Sequence, residues 1–480
     1  MATVTRRGDR IRPPYLPGRR TALVFTGTGA HGAYHAGVLR AVQEAGVKVD
    51  VVAGHGIGAA TATLAAIDGG ARLWDRGGLW SAPKVAPAYS WSWPLRWAGW
   101  LALALGVVLV APAVVMLLGA IVYGIGFGLE MLGSSLGSAI VGQYSAWVSG
   151  AFAGPNLPTT IPRLALFILL AIVVLLLTGF VRARRDGART RRTRGPGWGW
   201  YLLTGPLDTR PMREAVASSV WELIRGAASA EMPGRIALSR RYAEVLTENL
   251  GQPGFRELMI AATDLDARRD QVAALLREPH REGFLAPHPD RERNAEVLDI
   301  AGSGRDLTFD LVSAALTPGF VADPHPVVFP PDSYWRGETH RLCDRPGAAG
   351  RLLTELDAAG VVQLIVVSAV SPVLSPHRLQ APRLDLRSRL GESLVATEAA
   401  ALHDALDAAR PRFDAVYLIA PEHNPVGPFD LGGTYDESSD REHTIDDLLR
   451  QGYEDAYRQF IEPVVGASGE QLGAAVEPEP

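Results

Sequence analysis

The sequence predicts an α/β fold in three layers, with a mainly parallel sheet between helices, interrupted by an inserted transmembrane helical hairpin. Three observations carry this. Strand, glycine-rich turn and helix follow one another twice between Thr21 and Ile67, the order that builds parallel sheets. Further apolar runs, Leu258–Thr263, Val361–Ala369 and Ala415–Ala420, read as buried strands with helical stretches between them. Charge, finally, is missing from one place. The chain has 47 basic and 51 acidic residues among 480, or 20%, against about 25% in an ordinary soluble protein. From Trp97 to Val181 the only charges are Glu130 and Arg163.

Composition excludes several classes. A formal net charge of −4 argues against a dedicated nucleic-acid binder. Cys343 is the only cysteine, so no disulfide framework holds the chain.

In chain order, residues 1–20 form a basic segment with six arginines against Asp9, and they lack the apolar core of a signal peptide. Residues 21–84 are the first half of the α/β domain. Thr21–Phe25 is a strand, Ala33–Ala45 a helix, Lys48–Ala53 a second strand, and an Ala/Thr-rich helix ends at Ile67. Residues 85–195 are the insert. Trp97–Leu129 and Leu164–Val181 are long enough to span a bilayer, which needs roughly 20 apolar residues. Met131–Pro162 between them reads as an interfacial or re-entrant connection or a further weak span. Trp91, Trp93, Trp97 and Trp100 cluster at the start of the first span, as an aromatic belt does. Seven arginines and one aspartate fill Arg182–Arg194 after the second. By the positive-inside bias both flanks lie in the cytoplasm, which predicts a protein of the inner or plasma membrane with a cytoplasmic soluble domain. The basic flank attracts anionic head groups or serves only to stop transfer.

Residues 196–465 form the second half. Pro211–Arg225, Gly347–Ala358 and Thr397–Ala408 read as helices, Arg441–Glu462 as a closing helix, and the charged stretch Arg268–Arg305 as a surface excursion. Residues 466–480 are an acidic tail.

Two glycine-rich turns carry the chemistry. The first, Gly27-Thr28-Gly29-Ala30-His31-Gly32, fits the G-x-G-x-x-G dinucleotide pattern. That pattern also wants an acid ending the next strand, and Asp50 lies inside it instead. The second, Gly54-His55-Gly56-Ile57-Gly58, has the form of a G-x-S-x-G nucleophile elbow with glycine in the serine slot. His31, His35 and His55 together raise the alternative of a zinc site; packing roles account for them more simply, and no metal or cofactor is expected.

In these two motifs the chain resembles the patatin-like phospholipases, α/β serine acyl hydrolases with a Ser–Asp dyad. Their oxyanion loop, G-G-G-x-[RK]-G, matches Gly27–Gly32, and Gly37-Val38-Leu39 continues the family's helix. Arg256–Asp264 is similar to its central strand and Val312–Gly319 to the segment before its catalytic aspartate. The resemblance covers about Thr21–Asp75 and Leu203–Ala369 and leaves out the hairpin. It implies a lipid acyl hydrolase scaffold, but the departures are specific. The nucleophile slot holds Gly56. The family's D-G-[GA] is best matched by Trp335-Arg336-Gly337-Glu338, which puts Arg336 in the acid slot; Asp332 and Asp344 lack the following glycine, and Asp430 comes two strands later. The expectation is a catalytically inactive, membrane-anchored relative that binds lipid, anionic lipid included, or a protein partner. An active hydrolase with a non-standard site and a nucleotide-binding membrane protein using Gly27, Gly29 and Gly32 are the alternatives.

Overall fold

The computed structural model describes residues 14–81, 85–151, 160–187, 205–226, 229–286, 293, 295–331, 333–371 and 385–466. They separate into two compact units: an α/β unit from the chain up to Ser90 and from Leu207 onward, and a helical unit within residues 91–206. In chain order the elements are β1 (Thr21–Thr26), α1 (His31–Glu44), β2 (Val51–Gly54), α2 (Ile57–Ala66), α3 (Ala71–Trp74), β3 (Ser90–Trp91), α4 (Trp93–Met131), α5 (Leu136–Ala151) and α6 (Thr160–Gly187). The chain then resumes with β4 (Leu207–Asp208), α7 (Arg210–Ile224), α8 (Arg235–Asn249), β5 (Glu257–Asp264), β6 (Arg269–Leu275), α9 (His280–Leu285), β7 (Ala295–Asp299), α10 (Thr308–Ala315), β8 (His325–Val328) and β9 (Thr339–Cys343). It ends with α11 (Ala348–Ala358), β10 (Gln363–Ser368), α12 (Leu386–Ala409), β11 (Ala415–Ile419), β12 (Thr434–Asp436), β13 (Arg441–His443) and α13 (Ile445–Ala456), followed by wider π-type turns to Gly466.

The main sheet runs β11-β10-β1-β2-β5-β6-β7, with β9 on the end of β5 and β8 on β9. Pairing is parallel from β11 through β5 and antiparallel at β5–β6, β5–β9 and β8–β9. The expected mainly parallel α/β architecture is therefore present. Because side chains alternate along a strand, Ala22 and Val24 of β1 join Leu352, Leu356, Leu402 and Leu406 of α11 and α12 in one apolar layer. Phe25 meets the His35 ring of α1 instead, at 5.4 Å between centroids. Strands covered on both faces read as continuous apolar runs, and β1 and β10 are buried throughout.

Two expected elements need correction. Arg268–Arg305 is not a surface excursion, because β6 and β7 lie inside it. Its polar residues are internally paired: Asp270 accepts from Arg345 at 2.6 Å and from the Thr263 hydroxyl at 2.7 Å, and Gln271 donates to Glu296 at 2.5 Å. Arg441 begins a strand, not a helix. Asp436 accepts from the Ser438 backbone and hydroxyl and turns the β12–β13 hairpin. A capping box between Thr444 and Asp447 then fixes the helix start at Ile445. The connection within 131–162 contains a regular helix, α5, of sixteen residues.

In the helical unit α5 and α6 pack on α4. The α4–α5 approach depends on glycine: a Cβ on Gly126 would lie 2.4 Å from a Val141 methyl. Their outer faces are apolar and exposed, with Met116 78% and Leu166 67% accessible. Among the described residues α4 is the one helix long and apolar enough to cross a membrane; the apolar run of α6, Pro162–Thr178, is shorter.

Candidate active site: an elbow closed by its own loop

Both glycine-rich turns lie at the C-terminal ends of adjacent strands, where open α/β sheets place their sites. The first connects β1 to α1 and the second β2 to α2. Gly56 has φ +59° and ψ −137° and caps α2. Any residue with a side chain is strained in that region, so the sharp turn of a nucleophile elbow is kept while nothing projects from it. Tight approach of Gly58 to Gly54 and of Phe25 to Gly58 keeps both flanks bare.

The space a side chain would enter is taken. A Cβ on Gly56 would stand 2.2 Å from the Gly27 carbonyl oxygen and 2.9 Å from Asp344 Oδ2. The Gly27 carbonyl accepts the Ile57 N–H at 2.8 Å. In a working elbow the amide after the nucleophile supplies one arm of the oxyanion hole; here it is satisfied internally. The loop is held from its other side too. The Ala30 N–H donates to the Pro428 carbonyl at 2.8 Å, and Pro428 lies so close to Gly29 that a Cβ there would come within 1.9 Å of its oxygen.

The acid beside the elbow is Asp344, at the end of β9 and just before α11. Arg336 occupies the turn between β8 and β9, where its N–H donates to the Ser333 carbonyl and its φ is +47°. The carboxylate beside Gly56 is thus that of Asp344, while Arg336, the residue in the acid slot read from the sequence, lies in the β8–β9 turn. Asp332 lies outside the described residues. The pairing that distinguishes Asp344 is with His55: Nδ1–H donates to Asp344 Oδ1 at 3.1 Å, both side chains being about 2% accessible. Burial alone would lower the His55 pKa, but the charge and hydrogen bond of Asp344 outweigh it and raise it.

A second carboxylate, Glu398 of α12, closes the cluster. It accepts the Thr28 hydroxyl proton at 2.5 Å, and its other oxygen lies 3.8 Å from His31 Nδ1. Burial, with Asp344 adding to it, raises the Glu398 pKa to about 7. The same burial lowers His31 to about 4. His35 falls to about 3, burial leading and the His31 charge following, while its Nε2 sits 3.0 Å from the Thr26 carbonyl. His55 Nε2, His31 Nδ1 and Glu398 Oε2 are buried without hydrogen-bond partners. Thr26, Gly27, His55, Ser368 and Glu398 line a cavity of about 10 Å³, the size of a single water.

The structure thus brings together Gly27, Thr28, His31, His55, Gly56 and Ile57, and adds Asp344, Glu398 and the Pro428 carbonyl. Among the described residues no group of three His, Cys, Asp or Glu is arranged to hold a metal ion. Asp50 sits at the far end of the strands, where it accepts the Thr21 N–H at 2.9 Å; a ribose bound at Gly27 could not reach it. Two signals mark Asp344, which motif reading set aside for want of a following glycine, and Glu398, which it missed. Asp344 directly precedes a helix and the next strand, the order the family's aspartate follows. Glu398 interrupts the buried stripe Leu394–Leu402 of α12 at helical spacing, an acid where the pattern calls for an apolar residue.

A parallel α/β sheet with a glycine-flanked elbow after its second strand is the part of the chain on which the comparisons fall. The residue profile of the patatin-like phospholipase family matches residues 23–116, which contain both turns, and that segment is similar to the family. Neuropathy target esterase sws of Drosophila melanogaster is 50% identical over 50 residues, and that of Drosophila persimilis 48% over 50. These matches take in 10% of this chain and 4% of each esterase, so the chain spans a small fraction of the curated relatives it matches. VipD from Legionella pneumophila is a solved structure with a TM-score of 0.31 and 12% identity, covering 94% of this chain and 68% of its own.

Proposed function

We propose that this protein is a non-catalytic patatin-like domain anchored in a membrane, binding lipid or a protein partner at the cytoplasmic surface. The observation that carries the reading is the Gly27 carbonyl on the Ile57 N–H, directly over a residue that has no side chain. Acyl transfer through an acyl-enzyme needs an oxygen that forms the ester and an amide that receives the developing oxyanion. At this elbow the first is missing and the second is occupied. Asp344, the acid beside the elbow, is engaged by His55 and has no hydroxyl at position 56 to activate.

Anchoring is supported by α4, whose 39 residues make about 58 Å of helix, and by the apolar run of α6. The hairpin formed by these two helices, with its Arg182–Arg194 flank, is read as the anchor, and membrane lipids as the first class of partner. Reacting the detergent-solubilised full chain with a fluorophosphonate probe and assaying ester hydrolysis tests the reading. Absence of both is expected; a labelled serine with matching turnover would overturn it.

A further inference from the structure

A second cluster of charges lies in the α/β unit where α7, α8, α10 and β8 meet. At its centre is His325, 3% accessible. Arg213 Nη1 lies 2.8 Å from His325 Nδ1. Asp310 Oδ1 lies 3.0 Å and Arg235 Nη1 2.9 Å from His325 Nε2. A guanidinium only donates, and a neutral ring has a single acceptor nitrogen, so with Nδ1 accepting from Arg213 the proton sits on Nε2 and donates to Asp310, while Arg235 Nη1 touches Nε2 without a hydrogen bond and is bonded to Asp310 instead. The imidazole is therefore neutral. Burial first, with Arg213 and Arg235 adding to it against Asp310, holds its pKa below the ordinary value.

The charges around it do not balance. Arg235 pairs with Asp310 at 2.8 Å, and Arg210 with Asp208 at 2.7 Å. That leaves Arg213. Among the described residues no carboxylate lies within ion-pair distance of it, its side chain bonds only to a neutral imidazole, and its Nε is buried without a partner. A largely buried guanidinium whose opposite charge, Asp208, acts on it from beyond ion-pair distance and is already paired with Arg210 is costly, and its planar fork matches phosphate oxygens. His325 holds Nη1, and Nε and Nη2 are the donors left without a partner in the network.

We propose that Arg213, supported by Arg235 and His325, binds a phosphate group, carried by a lipid head group or present as free phosphate. The position favours a membrane source. Arg213 follows Leu207, where the chain returns from the apolar helices, by six residues. The outgoing and returning chains are joined by the Tyr89 N–H donating to the Asp208 carbonyl at 2.8 Å. The lipid source rests on the membrane reading above; recognition of phosphate does not.

The test uses the full chain in detergent and in phosphatidylcholine nanodiscs, with and without phosphatidic acid. Thermal unfolding is followed against inorganic phosphate, with chloride at equal ionic strength as the control. We expect protection by phosphate or by phosphatidic acid, weakened by about tenfold or more in apparent affinity in Arg213→Gln, with Arg213→Lys between the two. Protection by inorganic phosphate in detergent identifies a free-anion site, and protection only by phosphatidic acid identifies a head-group site. No protection of the wild type by either, or equal protection of wild type and Arg213→Gln, overturns the proposal. The wild-type titration reads out even where a variant fails to fold. Failure of the full chain to co-float with neutral vesicles would sink the membrane reading, while the detergent arm still reports on the anion site.

Discussion

Gly56 and Asp344 face each other across the elbow and present opposite things. Gly56 has the backbone of a sharp elbow and no side chain; Asp344 has a buried carboxylate with a histidine as its partner. The contrast shows which constraints act on each. The turn is fixed by close packing of backbone on backbone, Gly27 on Gly56 and Phe25 on Gly58, which survives any change in chemistry as long as no Cβ is added. The carboxylate is fixed by electrostatics, because a buried charge must be paired. One side of the site is held by shape and the other by charge, and substitutions at each should fail differently.

The largest effect is expected on the charged side. Asp344→Ala leaves the buried His55 without its counter-charge and should cost about 3–5 kcal/mol in equilibrium unfolding. A loss near zero would mean that the pair is not holding the site. On the shape side, Gly56→Ala adds a methyl 2.2 Å from a carbonyl at positive φ. Strain and overpacking together should cost about 2–4 kcal/mol, with no dependence on pH. Glu398→Gln separates the two kinds of constraint. The folded-state pKa of Glu398, about 7, lies above its ordinary value, so its favourable contribution is complete below about pH 4.5 and is lost as pH rises through 7. Relative to the variant, the wild type should therefore lose up to about 3 kcal/mol between pH 5 and 8; parallel stability profiles would exclude an ionising Glu398. Thr28→Val is the mildest change, removing one hydroxyl donor to that carboxylate at about 1–2 kcal/mol, read as a small drop in melting temperature.

How much of this was legible in the sequence depends on whether a feature is local. Two strand–turn–helix units, the elbow and the apolar insert all announce themselves in consecutive residues. Asp344 and Glu398 do not. They lie 288 and 342 positions beyond Gly56, and only the crossing of β9, α11 and α12 over the strand ends brings them there. Matching D-G-[GA] by its glycine selected Arg336, whereas the secondary-structure order, acid then helix then strand, selects Asp344. The misread stretch Arg268–Arg305 has the same origin. Its charges are paired with Arg345 and Thr263 from other elements, so a polar composition hid two buried strands. The plugging carbonyls of Gly27 and Pro428 leave no mark in the sequence, since every residue has a carbonyl and only the fold aims it.

The central claim is that the elbow holds no nucleophile and that its Ile57 amide is not free to receive an oxyanion. The most direct measurement is fluorophosphonate labelling of the intact protein and of Gly56→Ser, each with ester turnover followed in parallel. The account predicts no labelling in the wild type, and none in Gly56→Ser while the Gly27 carbonyl occupies the Ile57 amide. Labelling of the wild type at any serine, accompanied by turnover, would contradict it.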